Sequence, residues 1–302
     1  MRHDNATAAL TEAAAMSAHQ PDIQLRTLGD DPRQHYFLYL PPCAAVARVF
    51  VTVHGISRNA EEHARLFAPF AERYGVVLIA PLFPEDRFAK YQQMGRAGRG
   101  ERADQVLDQI LAEVRMLTDG AVHGCTSAAS AGCAGAAAFS VHWDKLYLFG
   151  FSGGGQFVHR YAMAYPERVA KFVVGAAGWY TFPDATLRYP RGIKPRRDLP
   201  DMCFEPERFL RVPGSVVVGE RDIKPGAALN KAARVIEQQG HDRLARAQRW
   251  TEAMNAAAHD RGLDTRYAVH TLPRCGHSFR RSMRRGMGEY VFEYLFGASD
   301  EE

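Results

Sequence analysis

The sequence predicts an α/β domain built on a mostly parallel sheet, with helices on both faces. Short apolar runs of the buried-strand kind recur at 48–53, 76–80, 145–149, 170–175, 215–218 and 266–272. Between them lie longer stretches whose apolar residues fall at helical spacing. Such alternation of strand and helix is the pattern of a parallel sheet with helical crossovers.

Residues 1–21 read as a tail. The domain then spans 22–297, with 178–212 as a small cap insertion. Runs at 23–26 and 36–40 suggest an opening hairpin, closed by Pro41 and Pro42. A helix over 61–74 carries Leu66, Phe70 and Tyr74 at i,i+4 spacing and stops at Gly75, with Pro69 expected to kink it. A polar loop rich in Gly and Arg runs to about Arg102. The helix 103–117 follows, with Val106, Leu107, Ile110, Leu111, Val114 and Leu117 on one face. The stretch 118–143 is rich in Ala, Gly and Ser and reads as a surface insertion, since it has little to bury. Helices are further expected at 153–165, 243–261 and 278–295. The Pro- and Arg-rich stretch 178–212 matches neither period, and no internal repeat is visible.

Composition narrows the function. Of 302 residues, 46% are apolar and 24% charged, and a chain of this size buries a core without disulfides or metal. The net charge of +4 is mild, and no nucleic-acid-reading module accompanies it. Cys43, Cys125, Cys133, Cys203 and Cys275 show no CxxC spacing, so reduced thiols are expected rather than a disulfide framework or metal site. The first twenty residues contain no continuous apolar segment, and nowhere do about 18 apolar residues run together. Neither secretion nor a membrane span is expected, which points to the cytoplasm.

The run 145–149 leads into Gly150-Phe151-Ser152-Gly153-Gly154-Gly155 and then into a helix. This is GxSxG in the strand–turn–helix setting that gives it chemical meaning. A serine hydroxyl is a weak nucleophile and must stand clear of the backbone beside a base. A tight turn achieves this, and neighbouring glycines remove colliding side chains. A P-loop would end in GK[ST] and a dinucleotide fold would read GxGxxG; neither fits.

The base should follow the last strand. His277, in RCGHSF, precedes the final helix, whereas His270 lies within the strand and His63, His142 and His159 lack such placement. For the carboxylate, VVVGERD supplies Asp222 after the strand 215–218, with Glu220 and Asp201 as rivals. An oxyanion needs backbone N–H donors. Gly153 supplies one, and Ile56, after His54-Gly55, the second. His54 reads as structural, its ring bonded to backbone.

Together, strand–HG–turn, GxSxG, GxxD and GH resemble the α/β-hydrolase superfamily over nearly all of 22–297. The order Ser152, Asp222, His277 is the order of that superfamily. The stretches VHGISRNAEEHARLFAPFAERYGVVLIAPLFPE and GFSGGGQFVHRYAMAYPERVAKFVVGAAG resemble esterases similar to polyhydroxybutyrate depolymerases and feruloyl esterases. The resemblance implies an eight-stranded, mostly parallel sheet, a small-molecule carboxylic-ester substrate and no cofactor.

Trp179 and Tyr180 follow a strand end and are candidates to line the acyl pocket. Arg188, Arg191, Lys194, Arg196 and Arg197 cluster in the cap, and Arg280, Arg281, Arg284 and Arg285 follow His277. Two readings stay open: a solvated basic face, which charge runs ordinarily form, or attraction of a substrate bearing carboxylate or phosphate. A peptidase or amidase with the same residues, and a binding protein that kept the fold without catalysis, are the alternatives to an esterase. The oligomeric state is not legible.

Overall fold

The computed structural model describes residues 21–42, 46–95, 100–124, 140–199, 201–226 and 229–297. The expected tail (apart from Pro21), Cys43, Cys125, Cys133 and most of the 118–143 insertion lie outside the described residues.

The strands β1 (Gln24–Leu28), β2 (Asp31–Tyr39), β3 (Val46–Val53), β4 (Val77–Pro81), β5 (Ser140–Phe151), β6 (Val169–Gly175), β7 (Gly214–Gly219) and β8 (Ala268–Leu272) form one sheet. Its order is β1-β2-β4-β3-β5-β6-β7-β8. β1 and β2 pair antiparallel, as do β2 and β4; every other pairing is parallel. β4 and β7 are buried along their whole length, whereas β1, at the edge, is largely exposed.

Helices α1 (Ala60–Tyr74), α2 (Ala103–Gly124), α3 (Gly153–Ala164), α4 (Pro206–Phe209), α5 (Ala233–Gln239), α6 (Arg243–His259), α7 (Phe279–Met283) and α8 (Met287–Phe296) complete the described elements. α1 buries Ala60, Ala64, Phe67, Ala68 and Ala71, a stripe at i,i+4,i+7,i+8 spacing, and runs through Pro69 to a left-handed Gly75. Successive strand residues point to opposite faces, which sorts the helices into two layers. On β5, Tyr147 packs on Phe296 of α8 and Phe149 on Phe67 of α1. Leu148 points the other way, and so does its neighbour Phe172 on β6, which meets Trp250 of α6.

Two expectations need correction. The insertion is shorter than 118–143, because α2 continues to Gly124 and β5 begins at Ser140. Helix 278–295 is two helices, interrupted at Gly286, whose φ of 91° breaks the helical path. The segment 178–212 forms turns, one isolated bridge between Arg188 and Lys194, and the short α4. It is not loosely attached: Tyr189, Ile193, Leu199, Met202 and Phe204 are buried in the main core.

β3 leads to β4 on one side, and the chain then returns to place β5 on the other side of β3. At such a switch in strand order the carboxyl ends of two strands open a crevice. Val53 is the register partner of Gly150, and Phe151 that of Gly175, so these strand ends stand in one row.

Candidate active site

Ser152 occupies the turn between β5 and α3, with φ 55° and ψ −106°. Only a sparsely populated backbone state puts the side chain there, and surrounding structure must hold it. The Ser152 N–H donates to the Gly175 carbonyl at 2.6 Å. Room for the turn comes from glycine: a Cβ on Gly154 would run into the Val53 carbonyl, and one on Gly150 into the Gly154 carbonyl.

Two further loops reach this turn. Beyond β7, Asp222 is buried, and its N–H donates to the Gly219 carbonyl at 3.0 Å. Beyond β8, residues 273–277 carry His277. The loops are laced together by the Arg221 N–H on the Cys275 carbonyl (2.7 Å) and the Arg274 N–H on Glu220 Oε2 (2.7 Å). The structure brings Ser152, His277 and Asp222 together: His277 Nε2 is 3.1 Å from Ser152 Oγ, and His277 Nδ1 is 2.7 Å from Asp222 Oδ2. The carboxylate fixes the tautomer, because Nδ1 must carry the proton to donate to it; Nε2 is then free to accept from the hydroxyl. The imidazole stacks on Phe151, with centroids 5.2 Å apart.

The rivals are engaged elsewhere. Glu220 holds the Arg274 amide, Asp201 pairs with Arg102, and His270 stacks on Tyr290. His54 is fully buried; its Nδ1 lies 2.8 Å from the Gly55 carbonyl and its Nε2 accepts from the Phe83 N–H at 3.0 Å. Burial pulls its pKa down to about 4, so the ring is neutral. It thereby anchors the loop that carries Ile56. A Cβ on Gly153 would stand 3.1 Å from Ile56 Cγ2, which puts the two expected oxyanion residues side by side. Among the described residues the Ile56 N–H donates to no backbone carbonyl, and Gly153 opens a helix, where first-turn N–H groups lack helical partners.

Two contributors had no signal in the sequence. Tyr91, in a one-turn 3-10 helix (Tyr91–Gln93), donates its hydroxyl to the His54 carbonyl at 2.8 Å, beside Gly153. Arg243, first residue of α6, is buried with its Nη1 3.3 Å from Asp222 Oδ1.

The cleft over Ser152 holds about 530 Å³ and is lined by Gly55, Ile56, Phe151, His277, Phe279 and Arg280, among others. Arg280 is paired there with Glu62 at 2.7 Å, while Arg281, Arg284 and Arg285 are exposed. Tyr180, expected to line an acyl pocket, is instead fully buried with its ring stacked on Trp250 at 5.0 Å. Its neighbour Trp179 lines a second cleft, not the one over Ser152. Among the described residues no His, Cys, Asp and Glu cluster could hold a metal, and no helix is long and apolar enough to cross a membrane.

No protein-family model matches the chain, and no curated protein matches it in sequence. Solved structures do. Poly(aspartic acid) hydrolase-1 from Sphingomonas sp. KT-1 superposes with a TM-score of 0.71 at 22% identity, over 90% of this chain and 98% of the other. LpqC, a poly(3-hydroxybutyrate) depolymerase from Bordetella parapertussis, gives 0.67 at 22% identity, over 96% and 94%. FphF, a fluorophosphonate-binding serine hydrolase from Staphylococcus aureus, gives 0.55 at 10% identity, over 91% and 97%. The chain therefore has the α/β-hydrolase fold, with an open, eight-stranded, mostly parallel sheet.

Proposed function

We propose that this protein is a serine hydrolase that cleaves carboxylic esters through an acyl-enzyme. The observation that carries the reading is the continuous hydrogen-bonded line from Asp222 through His277 to Ser152, with the serine raised on a strained turn.

In this reading Ser152 Oγ attacks the ester carbonyl while His277 Nε2 takes its proton. The carbonyl oxygen gains negative charge, which the Ile56 and Gly153 amides stabilise; such donors are each worth about 3 kcal/mol in the transition state. Collapse breaks the bond to the alcohol, which leaves with the proton from His277. Water, deprotonated by His277, then attacks the acyl carbon, and Ser152 recovers its proton as the acid departs. Asp222 stays ionised and keeps the imidazole oriented. Arg243 steadies Asp222 from the side away from His277, and segment 178–212 acts as a small cap.

The reading draws further support from neighbours named as hydrolases of an ester polymer and of poly(aspartic acid). Those names leave ester and amide substrates to be compared directly. The test is rapid mixing with p-nitrophenyl esters and anilides of equal acyl length. The ester should give a burst of p-nitrophenol stoichiometric with protein, the anilide little or none, and Ser152→Ala and His277→Ala should lose the burst. Equal turnover of the anilide would make the protein an amidase, and a burst that survives Ser152→Ala would end the proposal.

A further inference from the structure

A second cleft, of about 420 Å³, opens between residues 186–191 and the start of α5. Trp179 and Tyr189 form part of its wall, together with Arg188, Arg191, Arg196 and Arg234. Among the described residues, no aspartate or glutamate belongs to its lining. Arg196 is neutralised by Asp198 at 2.6 Å just outside. Arg188 and Arg234 are exposed and form no ion pair among the described residues. Like charges gathered in a concave, partly desolvated surface raise the local potential and concentrate anions there.

The arginines stand on a fastened frame, unlike an ordinary solvated charge run. The Tyr189 N–H donates to the Lys194 carbonyl at 3.0 Å, and the Lys194 N–H to the Leu187 carbonyl at 2.9 Å. Thr181 Oγ1 donates to the Pro190 carbonyl at 2.7 Å, and Gln238 Nε2 to the Arg191 carbonyl at 3.3 Å. Behind the wall lies Arg160, fully buried, its guanidinium 4.8 Å from the Trp179 ring centroid. Its Nη2 has no partner among the described residues, and the hydrogen bonds it makes go to neutral oxygens of Thr181, Gln92 and Gln156. Burial lowers its pKa to about 10, which leaves it charged at neutral pH.

One wall of the cleft is tied to the serine turn through the backbone. The carbonyl of Gly175 accepts the Ser152 N–H, and Trp179 follows four residues later, so the chain from Gly175 to Trp179 spans at most about 14 Å. Gly178 packs on Gln156, one helical turn beyond Ser152.

We infer that this cleft is a subsite for an anionic group of the substrate, a carboxylate or phosphate on the part of the ester remote from the scissile bond. The inference rests on Ser152 acting as the nucleophile. Arginine is suited to it, since its planar fork binds both oxyanions with two parallel hydrogen bonds.

The test uses the full chain and p-nitrophenyl monoesters of dicarboxylic acids of increasing length. Each is paired with a neutral ester of the same length and with a phosphate-terminated one. The ratio of kcat/KM, anionic over neutral, should reach about tenfold at one chain length and shrink as salt is raised. It should fall toward one in R188A/R234A and be retained only in part in R188K/R234K, which keeps the charge and loses the fork. The arm with the larger ratio distinguishes carboxylate from phosphate. A ratio near one at every length in the wild type, or one untouched by the alanine pair, overturns the subsite while neutral-ester turnover still upholds the serine. If no ester of either kind is turned over, the Ser152 reading fails separately. Calorimetric binding of glutarate and inorganic phosphate to wild type and R188A/R234A then decides the cleft, with no binding, or equal binding by both proteins, against it.

Discussion

Arg243 and Asp222 form a buried ion pair, with guanidinium Nη1 3.3 Å from the carboxylate oxygen turned away from His277. The arginine is the first residue of α6, where the helix dipole disfavours a cation. Its position is explained by the carboxylate: Asp222 takes His277 on Oδ2 and Arg243 on Oδ1, so neither oxygen is free to swing. Breaking a buried pair leaves the remaining charge exposed to a poor solvent, at a cost of about 3 kcal/mol. Arg243→Met should therefore lower the unfolding free energy by roughly that amount and reduce kcat by at least about tenfold. A purely structural role would stop there. As a positioning residue Arg243 should also leave KM nearly constant while kcat falls, and Arg243→Lys, which keeps the charge beside Asp222, should recover most of kcat. A kcat in Arg243→Met equal to the parent's contradicts the assignment.

Tyr91 supports the loop that carries Ile56 through one hydrogen bond to the His54 carbonyl. Tyr91→Phe keeps the ring packed against His54 and Phe83 and deletes only that bond, a change worth about 1 kcal/mol. The expected result is a drop in kcat of about fivefold to tenfold with KM nearly constant, since in the proposed mechanism the Ile56 amide acts on the transition state. A change in KM alone would place Tyr91 outside the oxyanion machinery.

The elbow depends on backbone contact that tolerates no side chain. In Gly154→Ala the new methyl meets the Val53 carbonyl, which belongs to a central strand and has nowhere to move. Overpacking of this kind costs about 1–3 kcal/mol or more. Calorimetry should give a lowered Tm, and the residual folded protein should turn over esters poorly. A Tm and activity equal to the parent would mean that α3 does not lie against β3 as described.

Among the described residues, His54, His63 and His159 are buried and neutral. Burial takes His54 from the ordinary value near 6.5 to about 4, and pushes His63 and His159 well below it. A folded-state pKa below the unfolded one means that the unfolded chain binds more protons between the two values. Stability is complete above about pH 6.5 and is lost as the pH falls toward 4, by on the order of 3 kcal/mol for His54 alone. Urea unfolding across this window should give a steadily falling midpoint, and His54→Gln should make the fall shallower. A flat profile would show that these rings are protonated in the folded state.

The sheet, the serine turn and the order of Ser152, Asp222 and His277 were legible because each rests on neighbouring residues: a buried run, a glycine string, a loop after a strand. Arg243 and Tyr91 were not. Arg243 reaches Asp222 from 21 residues away, and Tyr91 reaches His54 from 37, through packing that leaves no local period. Tyr180 misled for a related reason. The string Gly178-Trp179-Tyr180-Thr181 places aromatics beyond a strand end, but only their packing decides which meets a cleft and which meets Trp250. Likewise the break at Gly286 hides inside apolar spacing that reads as one continuous helix.

In the proposed mechanism the Ser152 hydroxyl, beside His277, is the nucleophile of this chain. A fluorophosphonate reagent followed by intact-mass and peptide analysis tests it most directly. One adduct per chain is expected, located on Ser152, absent from Ser152→Ala and formed far more slowly in His277→Ala. An unlabelled wild-type protein, or an adduct retained in full by Ser152→Ala, would contradict it.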